Sequence, residues 1–199
     1  MGQRLVVTVN DNGKDICKMY FHWSAYSMSA LYVTRDILDA ILEENNIMDL
    51  RLRLIRFCES YGGGIYKGKD SDEWKYIQKE YPNIAFKEEG INRNYGLIAI
   101  SEKGMNDMQG WSEGDMYIDI EDNKVRNWIN CYYDSVESYN EDRHSWDDDW
   151  EDISLEDIPE INYDLSEFRF DDIDNVIKAL ESTDSYIVRH GNDIYELIV

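Results

Sequence analysis

The chain has 199 residues, 43% of them hydrophobic and 13% aromatic, which is enough apolar material for a substantial core and excludes a wholly disordered polymer. Its 42 acids against 20 bases leave a net charge of −22, a field that repels nucleic acid and anionic membrane and attracts basic surfaces. No run of 18 apolar residues occurs, and MGQRLVVTVN lacks the apolar stretch of a secretory signal, so a cytoplasmic protein that does not enter a membrane is expected. Cys17, Cys58 and Cys131 are widely spaced and odd in number, which fits buried thiols in a reducing compartment better than disulfides or a zinc site.

In chain order, RLVVTV and DICKMYFHW read as a β-hairpin, joined by a turn in which Asn12-Gly13 supplies the positive φ that a tight connection needs. SMSALYVTRDILDAILEEN fits a helix capped by Ser27 or Ser29, with Leu31, Ile37, Leu38, Ile41 and Leu42 on one face. IMDLRLRLIRFCESY alternates like a strand at Leu50, Leu52 and Leu54. The helical spacing of Met48, Leu52, Ile55 and Cys58 favours a helix, ended by Gly62-Gly63-Gly64. YGGGIYKGK lacks the order of a phosphate-binding loop and reads as a flexible connector. A short helix is expected over 71–81, with Asp72 and Glu73 in its first turn and Pro82 beyond its end. EKGMNDMQGWSEGD reads as a glycine-punctuated loop, and YGLIAIS, DMYIDIE and KVRNWINC as strands, the last two turning at Asp122-Asn123. DDIDNVIKALEST fits a capped helix, and SYIVRHGNDIYELIV a closing hairpin. The clustered elements predict an α+β fold: one compact domain over 1–199, its antiparallel sheet built from hairpins with helices packed on it.

Charge is concentrated in one place. From Asp134 to Asp174 there are 17 acids and two arginines, and about two thirds of the excess negative charge sits in one fifth of the chain. Within this acidic segment, 132–174, Tyr132, Val136, Tyr139, Trp146, Trp150 and Ile153 recur with a period near 3.5, and the stem of Arg143 fills the gap. The spacing predicts an amphipathic helix near 132–153, its aromatic stripe inward and its acids outward. On a helix rising about 1.5 Å per residue, nine acids over 19 residues give roughly one carboxylate per 3 Å, close to the ~3.4 Å charge spacing of one DNA strand. A solvated acidic face that serves only solubility is the plainer reading, but such a face needs no tryptophans.

Three other chemistries can be weighed on the residues. Asp115, Asp119, Glu121 and Lys124 combine carboxylates with a lysine, as a Mg²⁺-dependent nuclease or hydrolase does, although the spacing matches no nuclease signature. Asp147, Asp149, Glu151 and Glu156 have the donor type for Ca²⁺ but lack the loop glycine of an EF-hand. His22, in FHWSAY, neighbours no nucleophile motif and reads as a structural histidine.

At MGQRLVVTV, YFHWSAY and NRNYGLIAISEKGM, over about the first two thirds of its length, the chain resembles small proteins of bacteriophages and mobile elements of Gram-positive bacteria. The resemblance carries over no catalytic residue. It implies a host-cell context in which small acidic inhibitors of defence nucleases occur, the DNA-mimic anti-restriction and anti-CRISPR proteins. The expectation is therefore a binding protein rather than an enzyme, without cofactor or metal. Its partner would be a basic nucleic-acid-binding protein such as a host defence nuclease, with no direct contact to nucleic acid. The partner-binding set is Asp134, Glu137, Glu141, Asp142, Asp147, Asp148, Asp149, Glu151, Asp152, Glu156 and Asp157, with Tyr133, Trp111 or Trp128 as aromatic contacts where exposed.

Overall fold

In the computed structural model, which describes residues 3–43, 47–87, 95–129, 135–161, 165–190 and 193–198, all three expected hairpins form. Leu5–Asp11 (β1) and Lys14–Phe21 (β2) turn at Asn12 and Gly13, whose φ values of 52° and 73° give the mirror-image turn that suits strand twist. Gly114–Asp119 (β5) and Lys124–Ile129 (β6) turn at Asn123, also at positive φ. Tyr186–His190 (β8) pairs with Asp193–Ile198 (β9) as a separate two-stranded sheet.

The large sheet has seven strands in the order β3-β4-β2-β1-β5-β6-β7, with Gly64–Ile65 as β3, Tyr95–Ala99 as β4 and Glu167–Arg169 as β7. It is mixed, which corrects the expectation of an antiparallel sheet. Leu5 of β1 faces Gly114 of β5 in parallel register, and β3 runs parallel to β4. β1 lies at the centre, and the unbroken apolar run Leu5-Val6-Val7 is the signature of a strand covered on both faces.

Alternate residues serve two layers. Leu5, Val7, Val9, Met19, Ile98, Met116 and Val125 point into the main core. That core is covered by Ser27–Leu42 (α1), Leu50–Ser60 (α2) and Ile173–Glu181 (α6). On the opposite face Val6, Tyr20, Leu97 and Ala99 pack against Met108 of Glu102–Gln109 (α4). That helix replaces the expected loop, because the Ser101 side chain caps it by accepting from Gly104 N at 3.0 Å. Asp72–Glu80 (α3) forms as expected, with Ser71 as its cap. The GGG stretch is no flexible connector. A Cβ on Gly63 would stand 2.0 Å from the Tyr95 carbonyl, so the glycine is what lets this backbone lie against β4.

Buried glutamates tie distant segments together. Glu59 accepts from Lys87 N at 2.6 Å, and Glu73 from Ile100 N at 2.6 Å and from the Ser101 hydroxyl. Glu196 on β9 accepts from Ser27 N at 3.1 Å and from the Ser27 hydroxyl. Neither Ser27 nor Ser29 is the local cap of α1; the residue at that position is Tyr26, and the remote carboxylate of Glu196 meets the first N–H instead. Leu42, expected on the buried face, is exposed at the end of α1. Cys17 and Cys58 are buried free thiols, and burial pushes Cys17 up to about 12; Cys131 lies outside the described residues. Among the described residues no helix is long and apolar enough to cross a membrane.

Candidate functional site: an acidic fold-back

The predicted helix over 132–153 is corrected to one of nine residues, Val136–His144 (α5), capped by the Ser135 hydroxyl, which accepts from Ser138 N at 3.0 Å. Tyr132 lies outside the described residues. The helix stops where the aspartates begin. Ser145 closes it by donating to carbonyls of the last turn, and Asp147 accepts from Asp149 N at 3.1 Å. Aspartate side chains compete for backbone N–H groups in this way, and consecutive like charges add repulsion, so DDD breaks the helix that the apolar spacing suggests. The chain then turns back along α5.

Asn140 holds this return leg. Its amide nitrogen donates to the Ile153 carbonyl at 3.1 Å, while its oxygen accepts from Ile153 N at 3.1 Å and from Trp150 Nε1 at 3.3 Å. Trp150 meets Tyr139 edge to face at 5.9 Å, and the Arg143 guanidinium lies over both rings. Val136, Tyr139, Ile158, Ile187 and Leu197 form a small second core, with Trp150 and Ile153 packed against it. The equal spacing of the two tryptophans conceals opposite fates. Trp150 is half-buried, whereas Trp146 at the bend is 82% exposed, so the expectation that both anchor the stripe fails at Trp146.

The acids decorate the outside of both legs. Glu137, Glu141 and Asp142 stand exposed on α5; Asp147, Asp148, Asp149, Glu151 and Asp152 on the bend and return; Glu156 on a 3-10 turn over Leu155–Asp157. Asp134 and the side chain of Asp157 lie outside the described residues. Asp152 meets His144 at 2.7 Å. Asp148, Glu151 and Glu156 form no ion pair with any described residue. Some exposed acids elsewhere are matched, as in Asp72–Lys103 and Asp107–Lys67, both at 2.8 Å, whereas Asp39, Glu80, Glu102 and Asp171 are exposed and form no ion pair with any described residue. The result is a two-legged carboxylate patch and not the single charged rod that the helical reading implied. Three acids over the ~13 Å of α5 leave about one per 4–5 Å along that axis.

The nuclease-like set is not brought together. Asp115 and Asp119 share a face of β5, but four residues separate them, roughly 13 Å. Asp115 accepts from Gln109 Nε2 at 2.7 Å, and Asp119 lies 3.6 Å from Arg126. Lys124 pairs with Glu167 at 2.6 Å, and Glu121 stands in the turn beyond the strand rather than beside Asp119. Among the described residues no three or more His, Cys, Asp or Glu side chains are grouped to hold a metal ion, the Asp147, Asp149, Glu151 and Glu156 set included. His22 Nδ1 and the Tyr20 hydroxyl share a hydrogen bond at 2.6 Å, and the imidazole packs beside Trp23. Trp111 is partly exposed against Tyr20 and Tyr66, while Tyr133 and the side chain of Trp128 lie outside the described residues. Sequence reasoning missed Asn140, because its partner is 13 residues on and no local pattern marks the pair. Comparisons with protein-family models, with curated proteins and with solved structures find no match to this chain.

Proposed function

We propose that this protein is a non-catalytic inhibitor that docks its acidic fold-back on the basic nucleic-acid-binding surface of a partner, such as a host defence nuclease, in the cytoplasm. The observation that carries the reading is Trp146: an indole 82% exposed at a bend between exposed aspartates and glutamates. A large ring held in water forgoes roughly 4 kcal/mol of burial, which contact with a partner recovers. Aromatic anchors inside a polar rim are how protein interfaces concentrate affinity. Asn140 fixes the bend beforehand, so docking does not have to order it. The unpaired carboxylates supply steering and complementarity to lysine- and arginine-rich grooves.

The test is capture from host lysate with the whole chain as bait, at low and high salt, followed by identification of the retained proteins. Basic nucleic-acid-binding proteins are expected at low salt and released as salt rises. Changing Asp147, Asp148 and Asp149 together to lysine abolishes their capture, and Trp146→Ala weakens it by about 2 kcal/mol, roughly thirtyfold. If the triple variant retains the same partners, the acidic docking mode is wrong.

A further inference from the structure

A cleft of about 600 Å³ lies at the carboxyl ends of β1 and β4. Asn10, Lys14, Lys18, Arg51, Tyr76 and Tyr117 line it. Three cations therefore face two acids there, Asp15 and Glu102, in a chain whose overall excess is strongly negative. Asp15 is already engaged by the Asn10 amide at 3.0 Å and the Tyr117 hydroxyl at 3.4 Å, and Lys18 by Gln109. The Arg51 and Lys14 side chains make no hydrogen bond or ion pair with any described residue. Arg51 also sits in the first turn of α2, where the helix dipole disfavours a cation. With carboxylates available across the molecule, leaving this guanidinium unmatched forgoes stability at the mouth of a cavity.

We propose that the cleft binds a free mononucleotide, its phosphate monoester held by Arg51 and Lys14 and its base laid against Tyr76. Two unmatched cations suit the roughly −2 charge of such a phosphate. The volume lies within the ~300–1,000 Å³ range of small-molecule sites. Tyr76, 37% exposed, offers a flat aromatic surface, and Asn106, which also lines the cleft, supplies an amide of the kind that pairs with base edges. The net charge discriminates by length: a dianion meets modest repulsion, whereas an extended strand meets it along every phosphate.

The experiment is calorimetric titration of the whole chain with the four ribonucleoside 5′-monophosphates, with adenosine and inorganic phosphate as controls. At least one mononucleotide is expected to bind, and both controls to bind about tenfold more weakly or worse. Arg51→Gln and Lys14→Gln are each expected to weaken it by about tenfold while the chain stays folded, since neither side chain has a hydrogen bond or ion pair with a described residue to lose. The triple lysine variant of Asp147, Asp148 and Asp149 is expected to bind at least as well as the natural chain, which separates this site from the acidic patch. Absence of binding by all four mononucleotides overturns the proposal. So does adenosine or inorganic phosphate binding as tightly as a mononucleotide, or affinity unmoved in both variants.

Discussion

Glu196 is a carboxylate in the wrong medium. Its side chain is buried, and burial pushes it from the ordinary 4.5 to about 7, with the Ser27 N–H pulling the other way. Between those two pH values the folded chain keeps a proton that the unfolded chain releases. Stability from this group is therefore complete below pH 4.5 and lost as pH rises towards 7, by about 3 kcal/mol over the interval. Glu196→Gln keeps an acceptor for Ser27 N without the charge. It is expected to raise the melting temperature at pH 7, to change it little at pH 4.5, and so to flatten the pH profile. A variant equally destabilised at both pH values would show that the carboxylate is not the source. Nothing in ELIV marks this residue, because its partner stands at the start of α1 and the contact exists only in three dimensions.

Among the elements, the leg that returns along α5 is held to it by one side chain, Asn140. Asn140→Ala removes three hydrogen bonds, each worth about 1 kcal/mol net. The expected outcome is local: residues 145–153 detach and the Ile153 amide exchanges faster with solvent by about two orders of magnitude or more, while protection in β1 is unchanged. Equal loss of protection in both places would mean that the acidic layer and the sheet unfold as one unit. What could be read beforehand at this scale follows from range. The hairpins announced themselves because Asn12-Gly13 and Asn123 carry their turn chemistry locally, and α3 because Ser71, Asp72 and Glu73 mark its start. The parallel pairing of β1 with β5 joins Leu5 to Gly114 and leaves no local trace beyond the buried run in β1. The acidic helix was half legible. Its apolar period holds as far as Tyr139, but the same period continues through Trp146 and Trp150 after the backbone has turned, and only the helix-breaking chemistry of the aspartates distinguishes the two cases. The exposure of those acids that lie among the described residues was legible; the bend that places Trp146 outside was not.

For the molecule as a whole, a charge of −22 is a standing repulsion that folding must work against. Added sodium chloride screens it, and the melting temperature is expected to rise with salt by the equivalent of about 1 kcal/mol, roughly 2–4 °C for a chain of this size. A melting temperature that is flat or falls with salt would show that ion pairs such as Arg4–Glu113 outweigh the repulsion. The opposite signs are informative together: salt strengthens the fold while it weakens the proposed docking. The flanks of the seven-stranded sheet have a further consequence. They are its two shortest members, β3 with two residues and β7 with three, and β7 turns Glu167 and Arg169 outward. Among the described residues these flanking strands offer a foreign extended peptide only a short ladder, which disfavours lateral recruitment of strands, the usual route to fibrils and to strand-swapped pairs.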